Sequence, residues 1–301
     1  MIETPVLLLV FNRPEQTRRV FSAVRAAQPK RLFVRADGPR TDKAGEAELC
    51  REVRDIFDNI DWPCQLETNF STENLGCRDA VSGGITWFFE QVEAGIILED
   101  DCLPHPSFFN FCSELLARYA HDERVMMLSG NNFGAPLSAA SYAFSRFPFI
   151  WGWATWRRAW QQYDKSMSQL AELTQTRRGF LDFLPDRLAQ NYLLEKMQLC
   201  QNGQLNTWDY QWFYTIVHRG GLTVIPSVNM VENIGFGVAS THTSGSTSRL
   251  ILAANEMPFP LQHPDKVHLI ATEASQKVFY SVYKNWLSLR LRWLISFIKT
   301  P

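Results

Sequence analysis

Three acidic residues stand side by side where an apolar run of the chain ends. The segment GIILEDD places Glu99, Asp100 and Asp101 directly after residues 95–98. Adjacent carboxylates repel one another and resist removal from water, so the cluster needs solvent, nearby cations or a bound metal. Mg²⁺ and Mn²⁺ take oxygen ligands and are often held by one or two carboxylates together with substrate phosphates. The cluster therefore predicts a divalent-metal site, and a solvated acidic turn is the alternative.

Two further polar residues follow apolar runs in the same way. Asp37 ends the run RLFVRAD and begins a D-G-P turn, and Arg13 lies two residues beyond the run at 5–11. The carboxyl ends of parallel strands meet at one edge of a sheet, where ligands of such folds bind. We therefore expect Asp37, Arg13 and the acidic triplet to converge. Otherwise Asp37 forms only a turn and Arg13 is a surface residue at a helix start.

Apolar runs alternate with amphipathic segments through the first half of the chain, which predicts strands alternating with helices. We predict strands at 5–11, 31–37, 64–69, 95–99 and 124–130, and helices at 14–27, 43–59, 77–90 and 106–119. This alternation is typical of parallel, doubly wound sheets. The predicted fold class is α/β, with a Rossmann-like, mostly parallel sheet flanked by helices.

The second half of the chain has a different character. Residues 145–160 are rich in tryptophan, residues 168–200 have helical patterns, and a further helix is predicted from near Thr207 to a glycine pair. No linker separates the halves, so we predict one domain. It comprises residues 1–130 and 131–250, followed by a C-terminal extension at 251–301.

Composition restricts the classes of function. The 301 residues carry a net charge of −1 and are 46% hydrophobic, which predicts a large core and gives no basic field for nucleic acid. The six cysteines include no CxxC pair, which favours reduced thiols. The first residues have a short apolar run without a basic region before it, so we expect a cytoplasmic protein without a signal peptide.

The C-terminal segment from 273 onwards combines lysines and arginines with an apolar face that includes tryptophan. Such a helix suits the surface of an anionic membrane, so we predict peripheral association with the inner face of the plasma membrane. Packing on the domain or on a second subunit is the alternative. Arg290 and Arg292 interrupt the apolar face, which argues against a membrane span.

Over residues 5–245 the order and spacing of several short motifs resemble those of GT-A glycosyltransferases, and more closely the N-acetylglucosaminyltransferase I family and its bacterial relatives. The motifs are VFNRP (10–14), RADGP (35–39), NLGCRDAVSGGITWFF (74–89), ILEDD (97–101), PSFFNF (106–111), FPFIWGWATW (147–156), WDYQW (208–212) and NIGFG…THT (233–243). The resemblance implies a GT-A fold with a helical and loop-rich acceptor portion. It also implies a nucleotide-diphosphate sugar donor, with UDP-sugar favoured, Mn²⁺ or Mg²⁺, and a glycan or lipid-linked glycan acceptor.

The resemblance assigns roles on the donor side. Arg13 and Asp37 would contact the base and ribose, and Arg78 would lie near the base or the diphosphate. Asp101 would bind the metal, and Asp100 would contact ribose or a water of the coordination shell. For Arg13 and Arg78, the alternative is that both are surface arginines at helix starts.

Catalytic roles also follow from the resemblance. Glu99 would orient the sugar, and Asp209 would take the proton from the acceptor hydroxyl in an inverting transfer. The run WDYQW has one residue more between its tryptophans than the family's stretch, and Asp209 could instead cap the helix that starts there. Asp164 and Glu232 are weaker candidates for the base.

Aromatic and glycine-rich segments complete the predicted site. Trp151, Gly152 and Trp153 are predicted on the acceptor side, where indole rings could stack on sugar, and core packing is the alternative. The loop at 233–248 has the composition of a lid. His242 in this loop is a candidate ligand of the metal or the diphosphate, although single histidines are more often structural.

Three functions remain open at this point. The leading hypothesis is a metal-dependent, inverting glycosyltransferase, which in a bacterial setting would build surface polysaccharide. The second is a catalytically inactive nucleotide-sugar-binding or scaffold protein at the membrane. The third is a nucleotidyltransferase, which usually has a glycine-rich phosphate loop after the first strand. The segment VFNRPEQTRR contains no glycine, which argues against this third function.

Overall fold

A computed structural model describes residues 1–134, 140–176, 181–184, 187–235 and 252–269. Its strands are β1 (Val6–Val10), β2 (Arg31–Ala36), β3 (Gln65–Phe70), β4 (Ala94–Glu99), β5 (Cys102–Pro104), β6 (Val125–Ser129), β7 (Tyr142–Ser145), β8 (Trp153–Trp156), β9 (Leu222–Pro226) and β10 (Val231–Asn233). Its helices are α1 (Pro14–Ala27), α2 (Glu46–Asp55), α3 (Gly76–Gln91), α4 (Pro106–Arg118), α5 (Arg157–Trp160), α6 (Leu170–Thr176), α7 (Arg187–Gln201) and α8 (Asp209–His218).

An eight-stranded sheet organises the chain, in the order β3-β2-β1-β4-β8-β6-β9-β7. The first four strands of this order are mutually parallel, and β9 is parallel to β6. Strands β8 and β7 run antiparallel to their neighbours. The predicted α/β class, with a mostly parallel sheet flanked by helices, is confirmed. Strands β7 and β8 were not predicted, because they lie in or beside the tryptophan-rich segment that has no clear strand pattern.

The sheet is covered on both faces. In β1, Leu8 and Val10 pack in the cluster that includes α1 and α4, while Leu7 and Leu9 pack in the cluster that includes α3 and α8. The continuous apolar run of this strand follows from that double coverage. The polar edge of the sheet is therefore the place where charged side chains can gather.

A group of tryptophans joins β8 to α8. The rings of Trp153 and Trp208 are stacked with centroids 5.5 Å apart, and Trp212 and Trp160 pack beside them. Trp153, Trp208 and Trp212 are fully buried. This packing fixes the start of α8, including Asp209, relative to the sheet.

The described part of the C-terminal extension packs on the domain. Met257 and Leu261 are buried in the main core cluster, and His263 Nδ1 lies 2.9 Å from the Tyr142 hydroxyl. His242 and the predicted C-terminal amphipathic helix lie outside the described residues. Among the helices that the structure describes, none is both long enough and apolar enough to cross a membrane.

Candidate active site

A cavity of about 620 Å³ opens where β1, β2 and β4 end. Arg13, Asp37 and the triplet Glu99, Asp100 and Asp101 all line it, so the predicted convergence at the sheet edge is present. Trp151 and Asp209 also line this cavity. The site therefore combines residues from the ends of β1, β2 and β4 with residues from the second half of the chain.

The acidic triplet is paired with an arginine. Arg13 Nη1 lies 2.7 Å from Asp101 Oδ2 and 3.4 Å from Asp100 Oδ1. The other oxygen of Asp100 accepts a hydrogen bond from the main-chain N–H of Phe11 at 3.2 Å. The guanidinium is thus held at the acids, and its contact with the base and ribose stays a prediction.

The negative charge of the triplet exceeds what Arg13 can neutralise. Burial, together with Asp101 and Asp100, raises the pKa of Glu99 well above its usual value. Burial and the neighbouring Asp101 raise the pKa of Asp100 to about 7, against the opposing effect of Arg13. Both shifts have the sign expected for buried carboxylates beside other carboxylates, since desolvation and like charges favour the protonated form.

Asp37 is held in place by the loop that precedes α3. Its Oδ1 accepts hydrogen bonds from the main-chain N–H groups of Gly38 and Leu75, both at 2.9 Å. Its Oδ2 accepts one from Asn74 Nδ2 at 2.9 Å and one from the Gly76 N–H at 3.1 Å. A carboxylate has about four lone-pair sites, so this set leaves little capacity for base or ribose. Asp37 is better explained as the residue that positions the start of α3.

Arg78 does not line the cavity. Its side chain forms an ion pair with Asp79 at 3.0 Å, and its main-chain N–H donates to Asn206 Oδ1 at 2.9 Å. The predicted contact of Arg78 with the donor is therefore at odds with its position. Asn206, which does line the cavity, accepts this hydrogen bond from the first turn of α3.

Asp209 is the first residue of α8 and lines the cavity. Its Oδ1 accepts a hydrogen bond from the Thr207 hydroxyl. The N-cap position belongs to Trp208, and that residue forms no side-chain cap, so the alternative of Asp209 as the N-cap is not supported. Asp164 instead accepts hydrogen bonds from Ser166 and Ser168, and neither Asp164 nor Glu232 lines the cavity.

The three predicted acceptor-side residues lie in different environments. Trp151 lines the cavity, where Phe133 packs against it with centroids 4.9 Å apart. Trp153 is fully buried among the tryptophans of the core, and the predicted acceptor contact is at odds with this burial. Gly152 has φ +62, and a Cβ there would lie 2.7 Å from Val231 Cγ2. The close approach at Gly152 is therefore to a core side chain.

Arg35 is a cavity residue that the sequence analysis missed. It is 8% exposed, and its guanidinium donates to Asn69 and Ser71 while its Nε has no partner within the described structure. Gly84 of α3 leaves room for it, since a Cβ there would lie 2.6 Å from Arg35 Cγ. The signal was present, because an arginine interrupts the otherwise apolar run RLFVRA.

The carboxylates of the cavity fit a divalent metal ion whose remaining ligands come from a substrate. In the part of the chain described, no three His, Cys, Asp or Glu side chains are grouped so that they could hold a metal alone. Asp101 and Asp100 nevertheless supply the one or two carboxylates that Mg²⁺ or Mn²⁺ needs when phosphate oxygens and water complete the shell. The surplus of negative charge at the triplet agrees with this fit.

Comparison with protein-family models finds no match, and comparison with curated proteins finds none either. Several solved structures do match. One is the mannosyltransferase PcManGT from Pyrobaculum calidifontis in complex with GDP-Man and Mn²⁺, with 14% identity and a TM-score of 0.35, over 52% of this chain and 46% of that one. Another is mouse xyloside xylosyltransferase 1, with 10% identity and a TM-score of 0.36, over 74% of this chain and 85% of that one.

A third match is the galactosyltransferase LgtC in complex with donor and acceptor sugar analogues. Its identity is 10% and its TM-score 0.32, over 57% of this chain and 65% of that one. This chain spans about half the length of the mannosyltransferase. All three are glycosyltransferases, and all three TM-scores lie below 0.5, so the matches carry no argument about the reaction of this chain.

Proposed function

We propose that this protein is a metal-dependent glycosyltransferase that moves a sugar from a nucleotide-diphosphate donor to a glycan or lipid-linked acceptor, with inversion at the anomeric carbon. The observation that carries the proposal is the cavity at the sheet edge, which is lined by the acidic triplet, Arg13 and Asp209. A metal bound to a diphosphate needs carboxylate ligands such as those of the triplet, and an attacking hydroxyl needs a carboxylate that accepts its proton. The resemblance of the sequence motifs to GT-A glycosyltransferases favours UDP-sugar as the donor.

Asp101 is the proposed metal ligand, and Asp100 supports it directly or through a water molecule. When bound, Mn²⁺ or Mg²⁺ would neutralise charge on the departing diphosphate. Arg13 lies close enough to these acids to supply a second positive charge for the diphosphate. Burial and the neighbouring Asp101 raise the pKa of Glu99 well above its usual value, and Glu99 is proposed to hydrogen bond a sugar hydroxyl.

Asp209 is the proposed general base. In the reaction, the acceptor oxygen forms a bond to the anomeric carbon, the bond from that carbon to the diphosphate breaks, and the hydroxyl proton passes to Asp209. The hydrogen bond from Thr207 orients the carboxylate. Asp209 is the first residue of α8, where the helix dipole interacts favourably with a negative charge.

The acceptor is proposed to approach past Trp151, whose ring lines the cavity. A surface polysaccharide or another glycan built at the inner face of a bacterial membrane remains our proposal for the product. It rests on the motif resemblance and on the basic, tryptophan-bearing C-terminal segment.

A thermal-shift screen tests donor and metal together. UDP-, GDP- and dTDP-sugars are each added with and without Mn²⁺. We expect at least one donor to raise the Tm only when Mn²⁺ is present. If no nucleotide sugar shifts the Tm under either condition, the proposed function is wrong. Donor binding without transfer to any acceptor would favour the inactive binding protein.

A further inference from the structure

The Arg13 guanidinium contacts Asp101 Oδ2, the oxygen through which Asp101 would coordinate a metal ion. Its Nη1 lies 2.7 Å from Asp101 Oδ2, and among the residues that the structure describes the other hydrogen bond to this carboxylate is a long one of 3.5 Å from Cys102 Sγ to Oδ1. Among the described residues, Arg13 is the cationic side chain that forms ion pairs with the triplet. In the absence of ligand, the guanidinium therefore serves as the counter-ion of Asp101.

A guanidinium cannot give way to a metal by losing its proton. Arginine stays protonated in proteins, so it carries its charge wherever it points. A divalent cation on Asp101 would stand beside this charge and be repelled by it. For the metal to bind, the Arg13 side chain must leave Asp101 Oδ2.

The main chain at Arg13 is fixed, so the side chain alone can make this movement. The Arg13 carbonyl oxygen accepts hydrogen bonds from the Thr17 N–H at 2.9 Å and from the Thr17 hydroxyl at 2.7 Å. Thr17 is fully buried in α1. The arginine side chain itself is 20% exposed and reaches into the cavity, so its guanidinium can turn without disturbing α1.

A diphosphate gives the displaced guanidinium a new partner. Phosphate oxygens accept strong, charge-assisted hydrogen bonds from arginine. The same phosphate oxygens complete the coordination shell of the metal. The nucleotide binds the guanidinium and so frees Asp101 for the metal, and the metal in turn coordinates the phosphates of the nucleotide. Each ligand therefore raises the affinity for the other. This positive coupling is reciprocal by thermodynamic necessity.

We propose that Arg13 is an internal competitor of the metal, which keeps the Asp101 site closed to a divalent cation until a nucleoside diphosphate draws the guanidinium away. This inference rests on the proposed function. Metal alone should therefore bind weakly, and metal with nucleotide should bind cooperatively. The metal site would be loaded by the metal-nucleotide complex and not by the free ion.

The test is a titration of the full chain, stripped of metal, with Mn²⁺ followed by electron paramagnetic resonance. Each protein is titrated with Mn²⁺ alone and again with saturating UDP, GDP or dTDP. For the wild type we expect a nucleotide to tighten Mn²⁺ binding at least tenfold. For Arg13→Gln we expect Mn²⁺ alone to bind at least tenfold more tightly than to the wild type, and the nucleotide to add less than threefold.

Two control variants distinguish the loss of positive charge at residue 13 from a general disturbance of the fold. Arg13→Lys keeps a cation near Asp101, and Mn²⁺ alone should bind it within threefold of the wild type. Arg18→Gln removes an arginine of α1 that pairs instead with Glu52 at 2.6 Å, and it should behave as the wild type throughout. A circular dichroism melt of each variant shows that it is folded.

The outcomes distinguish the inference from the proposed function. If the wild type binds Mn²⁺ with a nucleotide but Arg13→Gln binds Mn²⁺ alone no more tightly than the wild type does, the competition is wrong and the proposed function stands. If Arg13→Lys binds Mn²⁺ alone as tightly as Arg13→Gln, charge is not the cause and the inference is again wrong. If no protein binds Mn²⁺ with any nucleotide, the proposed function and this inference fail together.

Discussion

Asn206 Oδ1 accepts the main-chain N–H of Arg78 at 2.9 Å, across 128 positions of sequence. The residue at the N-cap position of α3, Leu75, provides no side-chain cap. Asn206 therefore caps the N-terminus of α3 with its side chain. It belongs to the second half of the chain and lies three residues before Asp209. The same hydrogen bond connects α3, which lies beside the cavity, to the segment that carries the proposed base.

Asn206→Ala should lower the free energy of unfolding by about 1 kcal/mol, because loss of a helix cap typically costs this much. Asn206→Asp keeps an acceptor for the Arg78 N–H and should stay within about 0.5 kcal/mol of the wild type. Urea unfolding measures both variants. Equal stability of Asn206→Ala and the wild type would show that the bond contributes nothing.

Arg35 and Gly84 form a pair whose substitutions should not be additive. A methyl group at Gly84 would lie 2.6 Å from Arg35 Cγ, so Gly84→Ala alone should destabilise the protein by about 1 to 3 kcal/mol. In an Arg35→Ala background the 2.6 Å contact is removed and the nearest atoms are Leu9 Cδ2 at 3.1 Å and the Cβ of residue 35 at 3.2 Å, so Gly84→Ala should cost less stability there than it does in the wild type. A double-mutant cycle of unfolding free energies measures the coupling. If the two substitutions changed the free energy of unfolding additively, the close packing of Arg35 against Gly84 would be contradicted.

Asp100 should make stability depend on pH when no metal is present. An aspartate in an unfolded chain has a pKa of about 3.9, and burial beside Asp101 raises the pKa of Asp100 to about 7 in the fold. Between these values the unfolded state has lost the proton that the folded state keeps. The contribution of Asp100 to stability is therefore greatest below about pH 4 and is lost as pH rises to about 7.

Asp100→Asn removes that dependence. In the presence of a chelator, the variant should gain stability relative to the wild type as pH rises from 4 to 7, with a difference of about 1 to 3 kcal/mol at pH 8. Guanidinium unfolding at several pH values measures it. A variant that is less stable than the wild type at pH 8 would show that the ionised carboxylate is well accommodated without metal.

Asp209→Asn tests the general base. We expect the turnover of a donor sugar to fall by about 10² to 10⁴, the typical contribution of a positioned base. The affinity for the donor should change less than threefold, since Asp209 acts on the acceptor. Single-turnover kinetics and calorimetry separate the two effects. Unchanged turnover would exclude Asp209 from the mechanism.

The sequence predicted the sheet edge well because its signals are local. The runs that became β1, β2 and β4 are continuous and apolar, since both faces of the sheet are covered, and their ends carry Arg13, Asp37 and the triplet. Parallel strands bring such ends together without any knowledge of side-chain contacts. The convergence therefore followed from the pattern alone.

The roles of individual residues depend on contacts that have no local signal. Asp37 is saturated by a loop more than 35 positions away, and Asn206 reaches α3 over a still longer separation. Trp153 and Trp151 differ by two positions, yet Trp153 is in the core and Trp151 lines the cavity, because β8 begins at Trp153. Tertiary packing, and not residue type, decides each of these cases.

The most direct test of the account is calorimetric binding of nucleotide sugars to wild type and Asp101→Asn, each with and without Mn²⁺. The account predicts that the wild type binds at least one UDP-, GDP- or dTDP-sugar, and that Mn²⁺ tightens this binding at least tenfold. It predicts that Asp101→Asn loses the effect of Mn²⁺ while remaining folded. Binding that is equally strong without Mn²⁺, or equally metal-dependent in Asp101→Asn, would contradict a metal held at Asp101.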